Sequence, residues 1–189
     1  MQGFDPKKLK LKGEVKKAYS INADTVEIYD YLSDIRMLLQ HVPHVTKIQL
    51  RQNTHRARLF FNINVLAIPI DAVMDIEPHF NPEERHIQLT NPETSLGAIP
   101  GGFVTGNFFA DLKIAPKETG HTKITSHLVL GFDAEQIDML TMFSRSFIEN
   151  TGQSLLQEYM DKTSMNYITN LVNHFPVWQK ARKAALKSQ

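Results

Sequence analysis

The sequence predicts an α+β fold: a curved, seven-stranded antiparallel sheet around one long C-terminal helix, with two short helices after the first strand. Three observations predict it. Two-residue periodicity occupies 14–21 and then roughly ninety residues from Val45 onward. Helical periodicity is confined at first to a short stretch between those two strand regions. It then takes over from Ala134 and holds to about Phe175. A sheet packed on a single helix leaves an apolar space between the two layers.

The elements follow in order. Residues 14–21 alternate weakly and form a first strand, which Asn22–Asp24 stops. Asp24 with Glu27 makes a capping-box-like helix start, and Val26, Ile28, Tyr29 and Leu32 give that helix its apolar face. Asp34 opens a second short helix carrying Ile35, Leu38 and Leu39, ended by Pro43. Val45–Leu50 pairs with Ala57–Val65 across the polar turn Arg51–His55. In the latter strand Ala57, Leu59, Phe61, Ile63 and Val65 share the inner face, Arg56, Arg58, Asn62 and Asn64 the outer one, and Phe60 breaks the rule. Ile68–Glu77 points Ile70, Ala72, Met74 and Ile76 inward and Asp71 and Asp75 outward. Ile87 and Leu89 mark a short fifth strand. Phe103–Ile114 places Val104, Gly106, Phe108, Ala110, Leu112 and Ile114 on one face, and Thr122–Phe132 does so with Ile124, Ser126, Leu128, Leu130 and Phe132. These strands meander with one dry and one wet face. On the last helix Ile148, Gly152, Leu155, Leu156, Tyr159, Thr163, Tyr167, Leu171 and Phe175 form one stripe, with Asn150–Gly152 its weakest point. A short helix before about residue 145 and a long one after it are expected.

Composition narrows the function classes. The chain has 189 residues, enough for one domain with a sizeable core, and 42% of them are hydrophobic. No apolar run approaches the ~18 residues of a membrane span, and no signal-peptide core follows the lysine-rich start. The absence of cysteine excludes disulfides, thiolate metal sites and a Cys nucleophile, and fits a cytoplasmic setting. The net charge of +1 is unevenly spread. Residues 1–17 carry six lysines against Asp5 and Glu14, and 180–189 carry Lys180, Arg182, Lys183 and Lys187 with no acid, so each end is +4 and the body −7. A basic extension (1–12), a folded domain (13–175) and a basic tail (176–189) are therefore expected, with the ends suited to peripheral contact with an anionic membrane.

This order of elements resembles the START-like (SRPBCC, helix-grip) superfamily, over about residues 13–175. Ser20–Asp24 leading into the helix pair looks like its common start. Leu96–Gly102 before a long strand, and Asn150–Gly152 in the last helix, are similar to an uncharacterised cyanobacterial and plastid branch. The resemblance implies a cavity between sheet and last helix that holds lipids, sterols, isoprenoids, pigments or aromatic polyketides. It carries no universal catalytic residue.

Within that frame the residues yield no catalytic set. His41 and His44 straddle Pro43, His55, His79 and His121 fall in turns, and His86 and His127 alternate outward, so no metal site or other cofactor is expected and the histidines read as surface groups. Gly97, Gly101, Gly102 and Gly106 precede a strand rather than a helix, which argues for backbone roles instead of phosphate binding. Asp71, Asp75 and Asp111 point outward and form no dyad. Ser126 points inward without a histidine and acid in register. Aromatic and basic residues do not interleave on one sheet face, so no nucleic-acid partner is expected. The expected ligand cavity is lined by Phe61, Ile63, Ile70, Met74, Val104, Gly106, Phe108, Ser126, Leu128 and Leu130 from the sheet and Ile148, Thr151, Leu155 and Tyr159 from the helix. The expected function is non-catalytic binding or transfer of a hydrophobic small molecule. The alternatives are a polyketide cyclase-like enzyme and an interaction module whose cavity its own side chains fill.

Overall fold

The computed structural model describes residues 10–51, 55–65, 68–118, 120–133, 136–137 and 143–187. Expectations for 1–9, including Lys7 and Lys8, for the tip of the 51–55 turn, and for most of the helical stretch between 134 and 142 lie outside these residues.

The seven strands are β1 (Lys10–Ile21), β2 (Val45–Leu50), β3 (Ala57–Val65), β4 (Ile68–Asn81), β5 (His86–Thr90), β6 (Val104–Pro116) and β7 (Thr122–Asp133). They form one sheet in the order β1-β7-β6-β5-β4-β3-β2. Neighbours pair antiparallel, and a two-residue parallel contact joins Ala72 to Val104 and Val73 to Thr105. Two short helices, α1 (Thr25–Ser33) and α2 (Ile35–Leu39), follow β1. After β7 come a single turn, α3 (Arg145–Phe147), a π-helical turn over Ile148–Gly152, and α4 (Gln153–Lys187) lying across the concave face. This is the helix-grip architecture that the periodicities predict.

Local chemistry sets the boundaries. Asp24 caps α1 by accepting from the amides of Val26 and Glu27, and Asp34 caps α2 through Arg36 N. The buried face of α1 is Thr25, Ile28, Tyr29, Tyr31 and Leu32, while Val26 is 50% exposed, contrary to the expected stripe. β1 begins at Lys10 rather than 14, because its first residues pair fully with the end of β7, Lys10 opposite Asp133. The expected helix end at Phe175 is also passed. Pro176 removes one helical hydrogen bond, but Trp178 stacks on Phe175 at 5.7 Å and meets Tyr31 edge-on at 5.1 Å. Arg182 pairs with Asp30 and Gln179 bonds Glu27, so contacts with α1 carry the helix onward.

The outer face at the β2–β3–β4 end is covered rather than wet. Arg58 is only 6% exposed and sits directly opposite Asp75. It donates to both carboxylate oxygens of Asp75 at 2.7 and 2.9 Å and to the carbonyls of Gly97 and Ala98. Asp75 also accepts from Leu96 N and Ser95 Oγ. Burial alone raises the Asp75 carboxyl, but Arg58 and the two local donors outweigh it and hold the group below its ordinary range. The 91–103 segment is thus latched over the sheet, and Phe60, which broke the alternation, packs edge-on against Phe103. Gly102, with φ 86°, supplies the turn.

On the inner face α4 crosses β1 at Gly13. A methyl group there would lie 2.6 Å from Met160 Cγ and 2.9 Å from the carbonyl of Leu156. Gly13→Ala is expected to lower stability by about 1–3 kcal/mol, whereas Gly101→Ala, with no heavy atom within 4 Å of the new methyl, should stay within about 0.5 kcal/mol. Urea unfolding midpoints of the two variants measure the difference.

Candidate functional site

Past this crossing, helix and sheet separate and enclose a cavity of about 60 Å³. That is several times the roughly 10–15 Å³ one water needs, and short of a multi-ring molecule. Eight of the residues expected from the sequence line it: Phe61 and Ile63 on β3, Met74 on β4, Phe108 on β6, Ser126, Leu128 and Leu130 on β7, and Tyr159 on α4. The other six lie elsewhere. Ile70 and Val104 are buried in the sheet core, the latter beside Ala72. At Gly106 a methyl would come within 2.7 Å of Met74 Cε and Phe132 Cε1, so the missing side chain serves close packing and leaves no room for a ligand. Ile148, Thr151 and Leu155 belong to the turn and first residues of α4, where Gly13 and Gly152 bring helix and β1 close together.

Sequence reasoning missed the rest of the lining. Tyr19 reaches in from β1, Leu38 and Leu39 from α2, and Val42 and Pro43 from the connection to β2. On α4 the lining residues are Tyr159, Met160, Thr163, Ser164, Tyr167 and Ile168. Thr163 and Tyr167 stood in the helical stripe, which was the signal available; Met160 and Ser164 lie one residue beside it.

Among the described residues the lining contains no Asp, Glu, Lys, Arg or His. Its polar groups divide into two sets. Tyr19 and Ser164 hydroxyls bond each other, and Ser126 Oγ donates to the carbonyl of Lys17 at 3.3 Å. The Tyr167 hydroxyl is buried and meets no hydrogen-bond partner among the described residues, and the buried Thr163 hydroxyl lies beside the Tyr159 phenol. Burial pushes the Tyr159 phenol up to about 12, a rise that the Thr163 hydroxyl nearby partly offsets. Burial, reinforced by Tyr31, raises Tyr167 as well. Both phenols therefore stay protonated at neutral pH.

Behind Tyr167 lies a second polar feature. His41, expected at the surface, is 1% exposed. Tyr31 Oη and His41 Nε2 are 2.6 Å apart, and Gln40 Nε2 donates to Tyr31 Oη. Tyr167 meets the His41 ring edge-on at 6.1 Å, and Asn170 Nδ2 holds the His41 carbonyl. Burial, with His174 adding repulsion, brings the His41 imidazole down to about 4.

That shift has a definite sign. The folded state resists the proton that the unfolded chain takes up near pH 6.5. Stability is therefore full above pH 6.5, falls as pH drops toward 4, and loses on the order of 3 kcal/mol across that window. Glu14, Asp75 and Asp161, each held low by its partners, stay ionised through most of it. Urea unfolding from pH 7 to 4.5 should show this slope, and His41→Gln should flatten it.

Among the described residues no group of His, Cys, Asp and Glu is arranged to hold a metal ion, and no helix is long and apolar enough to cross a membrane. No protein-family model and no curated protein matches this chain. Solved structures do. A conserved protein from Geobacillus kaustophilus superposes with a TM-score of 0.59 at 13% identity, covering 88% of this chain and 95% of its own. A START superfamily protein from Mycobacterium smegmatis gives 0.56 at 13%, covering 87% and 98%. The Zhui aromatase/cyclase from Streptomyces sp. R1128 gives 0.51 at 12%, covering 87% and 94%. At such identities the likeness is one of fold alone: this chain's seven-stranded sheet and long C-terminal helix superpose on these structures.

Proposed function

We propose that this chain binds or carries an apolar small molecule between its sheet and α4. The observation that carries the reading is a cavity of about 60 Å³ with no charged side chain among the described residues of its lining. Such a site gives nothing to offset the desolvation of an ion and favours apolar surface at about 25 cal/mol per Å². One ring or a short length of chain fits the cavity as it stands. A lipid, isoprenoid or pigment needs it to widen, and Met74 and Met160, both unbranched and flexible, are the lining residues best suited to yield. The basic last turns of α4, with Lys180, Lys183 and Lys187 exposed, favour delivery at an anionic membrane surface.

A second reading, a polyketide cyclase-like enzyme, is favoured by the three phenols of Tyr19, Tyr159 and Tyr167 in the lining. Protonated phenols donate hydrogen bonds to substrate carbonyls and do not serve as bases at neutral pH. The third reading, an interaction module filled by its own side chains, requires no void, and the open volume speaks against it.

Native mass spectrometry of protein purified from its host should show a co-purifying apolar mass, and a lipid panel should raise the melting temperature. Absence of both sinks the binding reading, while turnover of a poly-β-ketone chain decides for the enzyme. Leu128→Trp should weaken binding about tenfold or more without loss of fold by circular dichroism; unchanged affinity moves the site elsewhere.

A further inference from the structure

We infer that Val42 and Pro43 form the door of this cavity, and that a proton on His41 opens it. The inference rests on the binding reading above. Among the described residues of the lining, these two alone lie outside a helix or strand. An opening elsewhere has to break a strand ladder or a helix. Val42 and Pro43 are half-buried, so one side of this wall faces the cavity and the other faces water. Pro43 has no amide to tie it down, and Val42 N donates to the Leu39 carbonyl at 3.1 Å. The wall hangs between two histidines. His44 is exposed and turns the chain in the left-handed region, with φ 62°. Its carbonyl accepts from Asn62 N at 3.2 Å, and its ring lies tilted 5.5 Å from Tyr159. His41 is the inner pin, bonded to Tyr31 through its ring and to Asn170 of α4 through its carbonyl.

The surroundings of that pin make it sensitive to acid. Facing the His41 ring are Tyr31 from α1, Gln40 from the end of α2, and Tyr167 and His174 from α4, with His174 at 5.3 Å. None of these is an acid. Acids on the same helices are engaged elsewhere: Glu27 with Gln179, Asp30 with Arg182, Asp34 with the Arg36 amide, and Asp161 with Lys17. A charged imidazole in this position has neither water nor a counter-ion, and it gains water if 41–44 swings outward. Burial, with His174 adding repulsion, holds the ring at about 4 while the door is shut. In water it titrates near pH 6.5. Between those values the open form takes up a proton that the shut form refuses, so acid moves the population toward open.

The release rate of a small apolar probe tests this. Para-fluorotoluene is one uncharged ring, and fluorine NMR of the full chain reads its exchange between bound and free states. Wild type should release it about tenfold faster at pH 5 than at pH 7, with far-UV circular dichroism unchanged. His41→Gln cannot take up the proton, and its release rate should not change with pH over this range. His174→Gln removes the repelling neighbour and should move the acceleration to higher pH. His174 is exposed, so this variant stands in if His41→Gln folds poorly. A wild-type rate that stays flat, or an equal rise in His41→Gln, overturns the door and leaves the binding reading intact. Release that tracks a loss of circular dichroism is unfolding and overturns it too. If the probe fails to bind wild type at pH 7, the binding reading itself falls and the door with it.

Discussion

Everything about the cavity depends on how α4 is tied to β1. β1 is an edge strand, and its outward backbone groups would otherwise be free to pair. Two glutamines one helical turn apart close them. Gln153 accepts from Lys12 N and donates back to the Lys12 carbonyl, and Gln157 does the same for Glu14 at 3.0 and 2.6 Å. Each amide side chain stands in for a strand residue. Farther along, Lys17 pairs with Asp161 at 2.7 Å and Tyr19 bonds Ser164. Gly13 supplies the clearance these bonds require. The helix is thus held hard against one edge of the sheet at its beginning, and the gap lies farther along, where Tyr159 to Ile168 face the inner strands.

The two faces of the sheet use polar groups in opposite ways. Outside, the Arg58–Asp75 pair is buried but surrounded by partners, which is the condition under which a buried charge is tolerable. Inside, the described lining carries no charge and a few hydroxyls remain. Those of Tyr19, Ser126 and Ser164 are satisfied locally and so stiffen the walls.

Much of this was legible in the sequence, and the failures are instructive. Strand alternation placed Phe61, Ile63, Met74, Phe108, Leu128 and Leu130 around one space because the two-residue period fixes the face without knowledge of neighbours. It could not say which inward residues meet the helix and which meet the gap. Ile148, Thr151 and Leu155 were misplaced for that reason, since the glutamine bridges that set the spacing join residues about 140 apart. His41 and Arg58 read as surface groups because polarity alone marks exposure; their burial depends on α4 and on the 91–103 segment folding over them. The helical periodicity fades near Phe175, and the aromatic contacts of Trp178 carry the helix past Pro176.

The π-helical turn at Ile148–Gly152 has a consequence for chain length. Such a turn holds one residue more than an α-helical turn would. Removing a single residue from 148–152 would let the helix run on as regular α, and each residue advances an α-helix by about 100°. Ile148, now fully buried, would swing away from the sheet while everything from Gln153 onward kept its place. A one-residue deletion here is therefore a rotation rather than a shortening, and the number of residues in the turn matters as much as their identity.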